Sequence, residues 1–442
     1  MHILLVAFEY PPLNTGGARR PQRLRKGLTA RGHRVTVWTA DYRQSALYTI
    51  CDTGMPSVDD EVKRIPMQGE DLVFRIQRTG YTAASDGYWR LWKRSLRKAW
   101  EELLRADDRP DVILLTLPPF SLFRFARWVK NESSIPLVVD LRDHWSLWMM
   151  TPYASRLHAR IIRMRERELL TWADGVVVVT PVMKRDLQAI HPGLVPEHVQ
   201  VVTNAMEKLP EQTSADLPSR IRIGYLGAFY YFPQVAMEAA KPWYLRAPHR
   251  WFLYSPRRED WKYRSPWYFF RIVHELFSQH PEWAGRIELQ FAGRKPAWFD
   301  QMVEEWSLGG QVVHWGQLDA AAALRMQDAC SILLITSVKV EGGDDYCIAG
   351  KTFEFLSSGK RIIGCVTRGA QRDVLEESGM ALCIDPDDPA GAAERLHNWL
   401  LAKAPCSPQP QVIARYALAA VAEDMEHALV KAISSCRGAG GS

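Results

Sequence analysis

Between Tyr346 and Gly364 the chain reads YCIAGKTFEFLSSGKRIIG, and two of its charged residues have different chemical uses. Gly350 breaks the chain, Ser357-Ser358-Gly359 ends a short helix, and Arg361-Ile362-Ile363 opens a buried strand. Lys351 stands at the start of that helix, where unpaired backbone N–H groups and the positive end of the helix dipole favour an anion. Glu354 cannot hold a phosphate. Its carboxylate can accept paired, charge-assisted hydrogen bonds from vicinal hydroxyls, or it merely complements the helix dipole, a contribution of ~0.3–1 kcal/mol. Just upstream, VEGGDDY offers Glu341, Asp344, Asp345 and Tyr346, either as hydroxyl acceptors or as a solvated acidic loop. Near the N-terminus, EYPPLNTGGARR places Gly16 and Gly17 before a helix, which lets backbone approach a ligand or simply makes a tight turn. In DLRDHW, Asp143 and His144 suit a polar contact or proton handling near neutral pH, against a structural Arg142–Asp143 pair.

The elements that must position these residues alternate along the chain. Apolar, β-branched runs at 2–8, 34–40, 111–117, 135–142, 175–180 and 199–204 are separated by helical patterns. After the polar stretch 207–220 the alternation restarts at 221–227, 286–293, 311–316, 331–337, 361–366 and 381–386. Continuous apolar runs suit parallel strands covered on both faces. The expectation is an α/β protein of two doubly wound Rossmann-like domains facing a central cleft. The first covers 1–206, the second 207–410, and a helix in 411–442 packs back on the first. In such sheets ligands bind beyond the carboxyl ends of the strands, so the informative residues lie in the loops after each strand.

Composition limits the remaining classes. A chain of 442 residues, 47% hydrophobic, is globular and too long for one ordinary core. It has no apolar run of about 18 residues for a membrane span, and its first residues lack the basic flank of a signal peptide. Seven scattered cysteines show no metal or disulfide spacing, which suits a reducing cytoplasm. No Asp-x-Asp pair or His cluster falls at a strand end, so no metal site is expected. The formal charge of +6 is mild.

An ordered series of motifs resembles the family 4 retaining glycosyltransferases. ILLVAFEYPPLNTGGARRPQRLRKGLTARGHRVTVWT is similar to that family's opening strand, Gly-Gly loop and second strand. PDVILLTLPP, PLVVDLRDHW, ADGVVVVTPVMKRDL and VQVVTNAME follow in the family's order, then IGYLGAF and AGKTFEFLSSGKRIIG. The resemblance covers nearly the whole chain. It implies the GT-B fold, a nucleotide-diphosphate sugar as co-substrate without a further cofactor, and transfer with retained anomeric configuration. It places the donor ribose at Glu354. By the same resemblance Asp143 and His144 would orient the acceptor hydroxyl or the sugar, and no nucleophile is expected.

Two departures from the family stand out. The second glutamate that often touches the donor sugar is replaced by Tyr346, so Asp344, Asp345 or Tyr346 would contact the sugar instead. The family's Arg and Lys after its YvG strand are absent from GYLGAFYYFPQ. Charge on the leaving diphosphate must then be met by Lys351, by the backbone at Gly227, and by Arg294 or Lys295 in FAGRKP.

Two stretches exceed the needs of the fold. Residues 241–271 hold eleven aromatic, eight basic and two acidic residues. YWRLWKRSLRKAWEELL (88–104) puts Trp89, Trp92, Leu96, Trp100 and Leu103 on one helical face, with basic residues elsewhere. Both suit an anionic membrane surface, an acceptor groove or, for the helix, ordinary packing under a solvated basic face. Nucleic acid is not an expected partner, for no RNA-binding fold is present. The expected function is transfer to a saccharide or lipid-linked saccharide in surface polysaccharide or glycolipid assembly, at the inner face of the membrane. The alternatives are decoration of a small molecule in secondary metabolism and a non-catalytic nucleotide-sugar-binding partner.

Overall fold

The computed structural model describes residues 1–45, 59–69, 88–147, 152–210, 217–233, 237, 241–402 and 406–439. The chain forms two compact units. The first contains Met1–Ala205, Trp243–Arg257 and Ala417–Ser442, and the second Met206–Pro242 and Arg258–Tyr416.

The sheet of the first unit is built from β1 (His2–Ala7), β2 (Arg34–Asp41), β3 (Val62–Pro66), β4 (Val112–Leu117), β5 (Leu137–Leu141), β6 (Gly175–Val178) and β7 (Val199–Val201). Its order is β3-β2-β1-β4-β5-β6-β7, and neighbouring strands are parallel throughout. All six residues of β4 are buried, as a strand covered by helices on both faces requires. The helix Leu418–Ala439 returns to this sheet, where Met425, Ala428 and Leu429 join Leu5, Val37 and Leu114 in one core. Gly27 permits the approach, since a Cβ there would lie 2.6 Å from that of Ala422.

The second unit carries β8 (Ile221–Leu226), β9 (Glu259–Asp260), β10 (Ile287–Ala292), β11 (Val312–His314), β12 (Ile332–Thr336), β13 (Lys339–Val340), β14 (Arg361–Cys365) and β15 (Ala381–Ile384). Six of them form a sheet of order β11-β10-β8-β12-β14-β15, and β9 pairs with β13 in a small antiparallel ribbon. Strand order reverses beside β1 in one sheet and beside β8 in the other, which marks the loops after those strands as ligand-binding positions.

The two aromatic-basic stretches divide differently from the expectation. In the helix Tyr88–Arg105 the side chains of Trp92, Leu96 and Trp100 are fully buried. The Trp92 indole donates to the Ile65 carbonyl at 3.1 Å, and Arg97 pairs with Glu101 and Glu132. This helix is packing under a solvated basic face. Of residues 241–271, the later part belongs to the second unit's core: Tyr263, Phe269 and Phe270 are buried, the last two in the helix Trp267–Gln279. The earlier part, Trp243–Arg257, belongs to the first unit, where Tyr254 and Tyr153 exchange backbone hydrogen bonds at 2.8 and 2.9 Å.

Candidate active site

In the second unit, three loops at the carboxyl edge of the sheet come together. Gly227, directly after β8, has φ +117°, a conformation natural only to glycine. Gly293, after β10, has φ +136°, and a Cβ there would stand 2.5 Å from the Gly227 carbonyl oxygen. A Cβ on Gly227 would in turn lie 3.2 Å from Nζ of Lys351. Lys351 opens the helix Gly350–Ser357, whose first turn has no side-chain cap. Two residues named on sequence grounds, Gly227 and Lys351, are therefore neighbours.

The state of Lys351 is unusual. Its ammonium nitrogen is buried and has no hydrogen-bond partner. It lies 3.6 Å from the centre of the Tyr225 ring, a cation–π contact. Burial, with the nearby Arg264 guanidinium second, pushes its pKa down from the usual 10.5 to about 7. Arg264 itself has a buried Nε without a partner and approaches Asp345 only to 4.0 Å. Cys347 and Asp345 nonetheless favour the charged form of Arg264, whereas the Lys351 ammonium has no such partner, an unfavourable arrangement unless an anion enters. Sequence reasoning missed Arg264 and Tyr225. Arg264 was hidden in the basic stretch 241–271, and Tyr225 reads as an ordinary strand residue.

Glu354, three positions after Lys351 and half-buried, lies on the same side of the helix. The other residues named here are placed less simply. Arg294 and Lys295 are exposed, and Lys295 pairs with Asp300 at 2.7 Å. Asp345, expected as a sugar contact, is buried and braces its own loop by accepting from the backbone N–H of Cys347 at 2.9 Å. Its backbone also bonds Arg368 and Ala370, and a side chain at Gly369 would overlap it. Tyr346 is likewise buried. Asp344 pairs with Arg368 at 3.1 Å, and Glu341 faces Arg258 at 3.9 Å. The start of the acidic loop is tied to the segment Arg258–Asp260 by the short β9–β13 ribbon, which no sequence pattern announced.

In the first unit, the loop after β1 leads to the helix Gly16–Ala30, capped by Thr15, which accepts from the Ala18 N–H. A Cβ on Gly17 would overlap the Glu9 carboxylate, whereas nothing lies within 4 Å of one on Gly16. Arg142 ties this turn down, donating to the carbonyls of Gly17 and Pro118 at 2.6 Å each and approaching Glu9 at 3.5 Å. Gly17 therefore makes room for Glu9, not for a bound phosphate, which that carboxylate would repel.

His144, expected to orient the acceptor hydroxyl or the sugar, is fully buried. The chain after β5 turns inward so that Trp145 stacks on Phe120, ring centres 5.4 Å apart. The His144 Nε2 lies 3.4 Å from Asp186, which also pairs with Arg257 at 2.6 Å. Burial pushes the Asp186 pKa up, but His144 and Arg257 together hold it below the usual carboxylate value. Beside them Glu166, fully buried, accepts from Trp145, Ser146 and His191. Asp143 is half-buried on the same turn. A buried structural ion pair of this region is Arg20–Asp140, at 2.7 Å.

Among the described residues one group of ligand-type side chains, His280, Glu282 and His397, has its donor atoms within 4.8 Å. His280 follows the helix leading into β10, so the group lies at the amino edge of the sheet, away from Lys351.

Comparison with known proteins agrees with this architecture. Residues 15–205 match the family model described as a glycosyl transferase 4-like domain. No curated protein matches in sequence. Solved structures match along the whole chain at low identity. The lipopolysaccharide outer core galactosyltransferase WaaB in its apo form is 13% identical over 97% of this chain and 99% of its own, with a TM-score of 0.56. HepE of Anabaena, solved in complex with UDP and glucose, is 13% identical over 97% and 99%, with a TM-score of 0.54. The α,α-trehalose 6-phosphate synthase of Burkholderia multivorans is 11% identical over 100% and 99%, with a TM-score of 0.59. Residues 15–205 thus carry a glycosyl transferase 4-like domain, and the chain has the GT-B fold.

Proposed function

We propose that this protein moves a sugar from a nucleotide-diphosphate donor, held by its second unit, to a saccharide or lipid-linked saccharide in surface polysaccharide or glycolipid assembly. Transfer retains the anomeric configuration and needs no metal ion. The observation that carries the reading is the buried, unbonded ammonium of Lys351 beside Arg264 and the Gly227 turn. A diphosphate supplies the missing negative charge. In the transition state the leaving diphosphate gains charge, and a cation already in place stabilises it without reorganisation. The first N–H groups of the helix Gly350–Ser357 add to this. Glu354 accepts from the ribose diol. Asp143 and the open turn at Gly16 are the first unit's contributions to the acceptor.

Glu354→Gln keeps the shape and removes the charge. Hydrogen bonds to charged groups contribute ~1.5–3 kcal/mol, so nucleotide affinity should fall roughly tenfold to a hundredfold. The probe is UDP, chosen because HepE was solved with it, measured by calorimetry beside 2′,3′-dideoxy-UDP. The dideoxy compound should bind the wild type as weakly as UDP binds the variant, a cycle that isolates the contact. Equal affinity in all four combinations would remove Glu354 from the site.

A further inference from the structure

The helix Arg156–Trp172 buries Ala159, Ile162, Glu166, Leu169 and Leu170 on one face. On the opposite face Leu157, Ile161 and Met164 are 66%, 38% and 64% exposed. These three follow a spacing of four and then three residues and form one apolar stripe. Beside it runs a second stripe, Arg156, Arg160, Arg163 and Arg167, all exposed. Among the described residues Arg160, Arg163 and Arg167 enter no ion pair. Single exposed apolar residues are ordinary, but a stripe of them flanked by unpaired arginines is not.

The segment Trp243–Arg257 adds to this face. It is anchored at the start of the same helix by the Tyr153–Tyr254 bridge and by Arg156, 5.6 Å from the centre of the Tyr254 ring. From that anchor it exposes Trp243, Tyr244 and Leu245 by 61–62% and Phe252 by 74%. Trp and Tyr have an apolar body and a polar tip, the form favoured at a membrane–water interface. Further along the helix, Arg160, Arg163, Met164 and Arg167 line a cavity of about 880 Å³ together with Lys431 and Val195.

We propose that this face of the first unit docks on the surface of an anionic lipid bilayer. The apolar stripe and the aromatic side chains enter the headgroup layer, the arginines meet lipid phosphates, and the cavity beside them receives a headgroup. Charge complementarity selects the occupant: four exposed arginines against one exposed glutamate, Glu168, along the helix. No helix among the described residues is long and apolar enough to cross a membrane, so the contact is peripheral. The proposal is independent of the nucleotide site.

The test is co-sedimentation of the full chain with vesicles of phosphatidylcholine alone and of phosphatidylcholine mixed with phosphatidylglycerol. Binding is expected only to the mixed vesicles and should weaken with salt. The Arg160→Ser, Arg163→Ser, Arg167→Ser triple variant should lose about fivefold per arginine, roughly a hundredfold in all. Met164→Glu with Trp243→Ser should also release the protein. These positions are exposed, so UDP affinity should be unchanged in both variants, which checks the fold. Equal binding to neutral and mixed vesicles, undiminished binding of the triple variant, or failure of the wild type to sediment would each overturn the proposal. So would a wild-type dimer that both variants dissociate, because the face would then be a protein interface.

Discussion

Replacing Lys351 with methionine is expected to abolish nucleotide binding and, in the same protein, to raise the melting temperature. The two effects have one cause. The ammonium is buried with no hydrogen-bond partner, and an unsatisfied buried donor costs on the order of 1–3 kcal/mol, more if charged. Methionine keeps the length, drops the charge and still packs on the Tyr225 ring. A domain of 150–250 residues gains about 2–4 °C per kcal/mol, so a rise of several degrees should appear in a thermal melt. The pH dependence follows from the sign of the shift. The folded-state pKa is about 7, below the usual 10.5. Between these values the unfolded chain holds a proton that the folded one has released, so wild-type stability rises with pH across that window. The advantage of Lys351→Met should therefore shrink from pH 7 upward. A variant less stable than wild type at neutral pH, or one that still binds UDP as tightly, would show that Lys351 is a structural residue.

Asp140→Asn should destabilise the first unit by about 3–5 kcal/mol, the usual cost of breaking a buried ion pair. Asp140 is fully buried, 2.7 Å from Nη2 of Arg20, and also accepts from Thr116 at 2.9 Å. Arg20 in turn donates to the carbonyls of Val202 and Thr203 at 2.9 and 2.8 Å, which fixes the chain after β7 against the first helix. Asparagine leaves a buried guanidinium uncompensated. Adding Arg20→Met should recover part of the loss, since removing both charges leaves neither one stranded. Denaturant unfolding of the wild type and the two variants measures it. A double variant less stable than Asp140→Asn would mean that the backbone contacts of Arg20, not the ion pair, hold this region.

The fold was legible because its signal is repeated. Each apolar run such as VILLTL or GVVVV reads as a covered parallel strand, and the ordered motifs fix their connection. Among single residues, Gly227 stands where its backbone, at φ +117°, calls for glycine. The failures share a physical origin. Burial of His144 depends on the turn that stacks Trp145 on Phe120, a contact set by tertiary packing. Asp345 was named for its place beside the replaced glutamate, but its carboxylate bonds its own loop backbone, a local use that spacing does not reveal. The exposed apolar stripe of the helix Arg156–Trp172 was passed over because leucine and methionine within RLHARIIRMRERELL have the spacing of a core face. Only the structure shows which apolar residues lack cover.

The central claim is that a buried lysine on the second unit waits for a nucleotide diphosphate, and proton uptake on binding tests it most directly. UDP should be titrated calorimetrically between about pH 7.5 and 9, above the phosphate's own titration near 6, in buffers of different ionisation enthalpy. With a folded-state pKa of about 7, roughly nine-tenths of Lys351 is neutral at pH 8 and must regain its proton to meet the phosphates. The account predicts uptake of nearly one proton per UDP at pH 8. It also predicts a steady loss of affinity as pH rises. Binding with no proton uptake and an affinity flat across this range would contradict it.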